Sequence, residues 1–244
     1  MHAPSVLANL RRAACAGFLI LPLVTRAAPV APEVCAPDGA GLLKGENPIG
    51  SIHAHLCGFH FYSGDLNRSL PVEHYCSHLN ADLIQCVIYD SPKPDARLIG
   101  VEYIISEALF VQLPAEEKSL WHSHRYEVMS GLLTAPDGSE AAERALLKEF
   151  VSTYGKTWNL WQVDRGDRVP LGLPKLMMGF TADGQVQPAL VVKRDREQHL
   201  YAAANKAKRA DLPVRPVAAG ADAWQHGPAF QISDALPPPA DRRP

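Results

Sequence analysis

No stretch of the chain gathers the ~18 consecutive apolar residues that a membrane-spanning helix needs, and neither sign of charge dominates its 244 residues. Its 24 basic and 26 acidic side chains leave a formal charge of −2, too balanced to give the broad electrostatic footprint of a nucleic-acid binder. Aromatic residues are few and do not interleave with Lys and Arg runs. Internal repeats are absent. Phosphate-loop chemistry fails at Gly155-Lys156-Thr157, because Phe150 stands where the preceding glycine belongs. A dinucleotide fingerprint fails after Gly39-Ala40-Gly41, where Lys44 replaces the third glycine. Neither a Gly-x-Ser-x-Gly elbow nor a His-Glu-x-x-His string exists. Arg165-Gly166-Asp167 reads as a charged turn. What is present is 47% hydrophobic and 20% charged residues, which excludes a disordered tail, a collagen and a coiled coil and suits one domain with a real core.

The two ends differ in composition from the middle. Arg11 and Arg12, the apolar run Ala13 to Val24, and the small residues Ala27 and Ala28 follow the three-part layout of a secretory signal, so residues 1–27 are expected to be cleaved. The arginine pair also admits a twin-arginine route, although Ala13-Ala14-Cys15 lacks the usual bulky apolar residue. Cleavage removes three arginines and no acid from the formal −2, leaving −5, and sends the chain to a periplasm or the exterior. Residues 28–48 are rich in proline and read as a linker, residues 49–204 as the domain, and residues 205–244 as an extended, partly disordered tail closing in Pro237-Pro238-Pro239. Cys35, Cys57, Cys76 and Cys86 would survive cleavage, with three pairings open to them.

Within the domain, Leu83–Tyr89 and Leu98–Ser106 alternate Ile, Val and Tyr with polar residues around Asp90-Ser91-Pro92, which predicts a hairpin. Pro114-Ala115-Glu116-Glu117 predicts a short helix toward Trp121. Asp137 with Glu140 reads as a capping box before Leu146, Leu147, Phe150, Val151 and Tyr154, a single apolar helix face that Gly155 would end. Residues 128–134, 157–163 and 176–181 are further strand candidates. The expected class is therefore α+β, a mixed or antiparallel sheet with flanking helices in one domain.

Seven of the ten histidines lie between residues 53 and 124. His74-Tyr75-Cys76-Ser77-His78 puts two imidazoles on one side in either helix or strand, and His122-Ser123-His124 does so when extended. Close pairs of imidazoles lower the ordering cost of a three- or four-ligand metal site. The candidate ligands are His60, His74, His78, His122 and His124, for a divalent transition metal such as zinc, with Glu102 and Glu127 as added carboxylates or bases. The plainer alternative is a set of half-buried imidazoles hydrogen-bonded to backbone or carboxylate partners, with metal-free acid/base chemistry as a third. Cys76 could be a thiolate ligand, a nucleophile or a buried thiol. Trp121, Trp158, Trp161 and Tyr103 read as core or pocket walls.

Several strings together resemble the oil body-associated protein family. They are Phe59-His60-Phe61-Tyr62-Ser63-Gly64-Asp65, His74-Tyr75-Cys76-Ser77-His78-Leu79-Asn80, Gln85-Cys86-Val87-Ile88-Tyr89-Asp90, Leu98-Ile99-Gly100-Val101-Glu102-Tyr103, Leu120-Trp121-His122-Ser123-His124, Tyr154-Gly155-Lys156-Thr157 and Val163-Asp164-Arg165-Gly166-Asp167. The resemblance covers about residues 55 to 195. It implies a location, since plant members associate with seed oil bodies, and it implies no reaction. Relatives lacking a secretory leader share the strings around Cys57, Cys76 and Cys86, so the resemblance speaks against obligatory disulfides among them. The expectation is an exported relative of that family with a histidine-rich pocket for a divalent metal. Its rival is a non-catalytic protein of a lipid surface or envelope, which would need an exposed apolar patch or a basic amphipathic helix.

Overall fold

The computed structural model describes residues 47–232, so the expected leader, most of the linker and the last residues of the expected tail lie outside the described residues. The backbone runs β1 (Ala54–Tyr62), β2 (Asp65–Asn80), β3 (Leu83–Tyr89), β4 (Leu98–Ser106), α1 (Glu107–Phe110), α2 (Ala115–Lys118), β5 (His122–Ser123), α3 (Arg125–Met129), α4 (Glu140–Phe150), β6 (Thr153–Asn159), β7 (Lys175–Met178), α5 (Pro188–Gln198) and α6 (Ala202–Lys208). Every pairing between these strands is antiparallel.

The expected α+β sheet with flanking helices is wrong. The strands follow the order β4-β3-β2-β1-β7-β6, and β6 then pairs with β4 along seven residues from Gly100↔Asn159 to Ser106↔Thr153, closing a six-stranded barrel. Along its other edge β6 is shared. Its first residues pair with the short β5 and its last with β7. The helices are short and few, so the molecule is mainly β. Closure removes the free sheet edges that an open sheet must protect.

Local chemistry accounts for the hairpins. Ser63-Gly64 joins β1 to β2 with Gly64 at φ +88°, the left-handed geometry that a two-residue hairpin favours. Ala81-Asp82 joins β2 to β3, where Asn80 Oδ1 accepts the Asp82 N–H at 2.8 Å. The expected hairpin forms β3 and β4. Residues 128–134, however, are not a strand. They finish α3 and turn, with only Thr134 bridging to Cys57 through N–H···O bonds of 2.8 and 2.9 Å. Ser139, not Asp137, caps α4 by accepting the Ala142 N–H at 3.2 Å, and Gly155 lies within β6 rather than at the helix end.

Residues paired across antiparallel strands share a face, so the registers identify the barrel lining. Leu56, Gly58 and His60 of β1 oppose His74, Val72 and Leu70 of β2. His74, Cys76 and His78 oppose Ile88, Cys86 and Ile84 of β3, which continue to Gly100, Glu102 and Ile104 of β4 and then to Asn159, Thr157 and Gly155 of β6. The interior is layered. At one end Leu56, Ile84 and Ile104 pack with Val128 and Leu133 around α3, and with Leu147 and Phe150 of α4. At the other, Tyr62, Leu70, Val72, Ile88 and Met177 pack with Trp161. Between them sits a polar layer. Outside, Phe59, Phe61, Leu176 and Met178 are covered by Leu190 and Val191 of α5, by Ala202 and by Trp224. Residues 205–232 contribute the buried Arg209, Leu212 and Asp222.

Cys76 and Cys86, opposite each other on β2 and β3, are disulfide-bonded, and Cys57 is a buried free thiol. The pairing is local to one hairpin; the sequence left the pairing open, and the resemblance spoke against obligatory disulfides among these cysteines. Among the described residues no helix is long and apolar enough to cross a membrane.

Candidate metal centre

The polar layer is a carboxylate ringed by imidazoles. Glu102 projects inward from β4 and is 1% exposed. His74 of β2 places Nε2 2.8 Å from Glu102 Oε2, while His124 Nε2 and His122 Nε2 lie 3.2 and 3.4 Å from Oε1. His60 of β1 completes the ring, its centroid 5.0 Å from that of His74 and 5.2 Å from that of His122. All five side chains are buried. Two ligand triads result, His60-His74-Glu102 and Glu102-His122-His124, and within each the donor atoms lie within 4.8 Å of one another. For comparison, a tetrahedral ion with bonds of ~2.0–2.1 Å sets its ligand atoms roughly 3.3 Å apart.

Hydrogen-bond satisfaction in this layer is poor. Both ring nitrogens of His74 and of His122, and Nδ1 of His60, make no directed hydrogen bond. Buried polar atoms are ordinarily paired, because an unmet donor or acceptor costs about 1–3 kcal/mol. His124 is the exception. Thr153 gives its hydroxyl proton to the Phe150 carbonyl at 2.8 Å, so its oxygen accepts from His124 Nδ1 at 2.9 Å. That bond puts the proton of a neutral imidazole on Nδ1 and leaves the Nε2 lone pair facing the Glu102 carboxylate. Two lone pairs at 3.2 Å repel unless a cation or a proton lies between them, and a partner on the outer nitrogen is the usual support of a metal-bound histidine.

Ionisation favours ligation. Burial pushes the Glu102 carboxyl up, but the imidazoles of His122, His124 and His74 packed around it outweigh burial and hold the group well below the usual range. Burial lowers the pKa of His60 far, and that of His122 as well, against the opposing pull of Glu102, so both rings are neutral. An ionised carboxylate beside neutral imidazoles is the form a divalent ion binds without displacing protons. Glu127, on α3, is different. Burial, then the Glu102 and Asp222 charges, push its carboxyl well above the usual range, and its Oε2 sits unpartnered 3.8 Å from His122 Nε2.

Two glycines make room for this layer. A Cβ on Gly155 would stand 2.0 Å from Glu102 Oε1 and 2.8 Å from the His122 ring, and one on Gly179 would stand 2.7 Å from Glu127 Oε2. Only glycine leaves those volumes to the carboxylates.

Of the five histidines singled out by sequence, the barrel brings together His60, His74, His122 and His124. It does not bring His78. That residue is exposed at the end of β2, and its Nδ1 is hydrogen-bonded to His53 Nε2 at 2.8 Å. A bulge between His78 and Asn80 marks where the strand leaves the regular ladder. His55 points outward between Glu73 at 3.0 Å and Asp137 at 2.8 Å. Burial lowers its pKa, yet the bonds to those two acids leave it raised. Cys76, being disulfide-bonded, is not a thiolate. Sequence reasoning missed Thr153, Gly155 and Gly179. Gly155 opposes Ile104, two residues along β4 from Glu102, a relation legible only once the register is known.

A closed antiparallel barrel enclosing one carboxylate among four imidazoles is the class of molecule these features define. The chain belongs to the family described as protein of unknown function, DUF1264, whose profile matches residues 46–213. It is 51% identical over 150 residues to oil body-associated protein 1A of Zea mays, a match covering 62% of this chain and 63% of that protein. It is 45% identical over 204 residues to oil body-associated protein 2A of Zea mays, covering 82% and 81%. With oil body-associated protein 1B of Arabidopsis thaliana it shares 44% identity over 178 residues, covering 71% and 74%. No solved structure matches the chain.

Proposed function

We propose that the chain is a metal-binding protein whose barrel interior holds a divalent transition metal, such as zinc, through Glu102, His122 and His124, with His74 and His60 completing the donor set. The observation that carries the reading is the His124 Nε2 lone pair, fixed by Thr153, aimed at Glu102 Oε1 across 3.2 Å. Imidazole nitrogens with one carboxylate oxygen suit zinc and its first-row neighbours. A bound ion would supply Lewis acidity and lower the pKa of a coordinated water. Elemental analysis of the full chain after reloading with zinc and gel filtration tests the reading. At least one molar equivalent is expected in the wild type, with a loss of tenfold or more in affinity for Glu102→Gln. Two equivalents that both vanish in that variant would mean that Glu102 bridges two ions, one per triad. Less than about a tenth of an equivalent, or an unaffected Glu102→Gln, overturns it.

A second reading, association with a lipid surface, draws on the names of the plant relatives and on the exposed Leu109 and Val111 at α1. Co-flotation with liposomes at low salt is expected under it, and absence of flotation removes it. Export belongs to the proposal as well. The Cys76–Cys86 bond supports an oxidising compartment, and a mature N-terminus at Ala28, read by mass spectrometry of protein from the native host, is the expected outcome.

A further inference from the structure

A cavity of about 690 Å³ lies between α3 and the segment 214–226, with Ser123 and Asp222 in its wall and none of the ringed imidazoles or Glu102 among its lining residues. We infer that it binds a small organic carboxylate with an apolar body, and that Arg125 takes the carboxylate. The volume falls among those of small-molecule sites, which pair apolar walls with a few fixed polar groups. Here Met129, Val214, Val217 and Ala218 supply the apolar wall. Val214 and Val217 are each 37% exposed, and they line the cavity.

Arg125 is the unusual member. Arg194 and Arg209, the buried arginines, pair with Asp195 and Glu143. Arg68, Arg97, Arg144, Arg165 and Arg215 pair with acids at the surface, and Arg168 and Arg196, which have no such pair among the described residues, are solvent-exposed. Half-buried Arg125 lines the cavity, and among the described residues no carboxylate forms an ion pair with it. Asp222 is the only acid in the wall, and its Oδ1 already accepts the Ser123 N–H at 3.0 Å. Of the other polar wall groups, Gln225 donates to Thr181, Tyr126 donates to Asp183 and Ser123 Oγ accepts the Arg125 N–H, while His226 is exposed to solvent. An uncompensated guanidinium beside an apolar wall selects for an anion whose remaining surface is apolar. Its planar fork matches a carboxylate through two parallel hydrogen bonds.

Arg125 and its cavity lie outside the imidazole layer, so carboxylate binding does not require a bound metal. Calorimetric titration of the full chain, once after chelation and once after zinc loading, is the test, with octanoate, 1-octanol, octylamine and octyl phosphate as probes at fixed pH and salt. Octanoate is expected to bind saturably at one site in both preparations, at least about tenfold tighter than the alcohol or the amine. Arg125→Gln should abolish that preference, Arg125→Lys should keep part of it, and Val217→Trp should weaken octanoate while leaving Arg125 in place. Equal binding of octanoate and octanol, saturable binding by octyl phosphate alone, or an unchanged preference in Arg125→Gln overturns the assignment. Should Arg125→Gln fail to fold, the probe series on wild type and the Val217→Trp result decide. None of these outcomes alters the zinc stoichiometry, so the two readings fail separately.

Discussion

At the scale of single residues, the interior depends on atoms that are missing. Gly155 has no side chain because Glu102 Oε1 occupies the space a Cβ would take, 2.0 Å away. Gly155→Ala is therefore expected to displace the carboxylate and cost roughly 3 kcal/mol or more, within the range of overpacked cores. Gly138→Ala, whose Cβ would meet nothing nearer than 3.7 Å, should cost little in comparison. Urea denaturation of the two variants is the check, and similar losses in both would contradict the geometry. Asp222 gives a pH-dependent counterpart. Burial pushes its carboxyl up to about 7, although the Ser123 N–H pulls the other way. Because the folded pKa exceeds the unfolded one, the chain keeps this group's full stability below about pH 4 and loses it as pH rises through 7. Every tenfold difference in acidity between the folded and unfolded carboxyl corresponds to about 1.4 kcal/mol. Asp222→Asn keeps an acceptor for Ser123 and removes the charge, so it should equal the wild type near pH 4 and exceed it by a few kcal/mol at about pH 8.5. A stability difference that stays constant with pH would show that the carboxyl is not held in this way.

At the scale of elements, α4 separates a true cap from a plausible one. Ser139 accepts the Ala142 N–H, whereas Asp137 reaches out to His55. Ser139→Ala should cost about 1 kcal/mol of stability, while Asp137→Ala should remove only an exposed contact worth a few tenths. Thermal melts of both variants test the assignment. The same contrast explains which elements were legible. β3 and β4 read correctly because their alternation of Ile and Val with polar residues is clean and turn residues bound them. β2 did not. Its sixteen residues include Arg68, Pro71, Glu73, His74 and His78, a composition that resembles a loop. Pro71 is tolerated because it pairs with Phe59 of β1 before β3 begins pairing at Glu73, so one side of the strand is still free there. Residues 128–134 misled in the opposite sense. Their Val, Met and Leu face a hydrophobic plug, and burial rather than strand pairing accounts for their apolarity.

At the scale of the whole molecule, the histidine cluster was visible as composition, but its convergence was not. His60, His74, Glu102 and His122 come from four strands, and only the β4–β6 seam brings the two ends of the sheet close enough for them to meet. Closure is a global property that no local period encodes, which is why an open α+β sheet was the natural expectation. Gly100 tests closure directly. It pairs with Asn159 at one end of the seam, and a Cβ there would lie 2.5 Å from the Trp158 carbonyl oxygen, a backbone atom that cannot swing aside. In an open sheet with β4 at its edge, Gly100→Ala would restrict the unfolded chain and stabilise by ~0.5–1 kcal/mol. In the closed barrel the same change should destabilise by about 1–3 kcal/mol. Its loss should be local at first, with faster hydrogen exchange at the amides around 98–101 and 157–160 while the β1–β2 hairpin keeps its protection. The sign of the stability change thus distinguishes the two architectures: a gain on substituting alanine would mean an open sheet, and would take away the meeting point of the imidazoles.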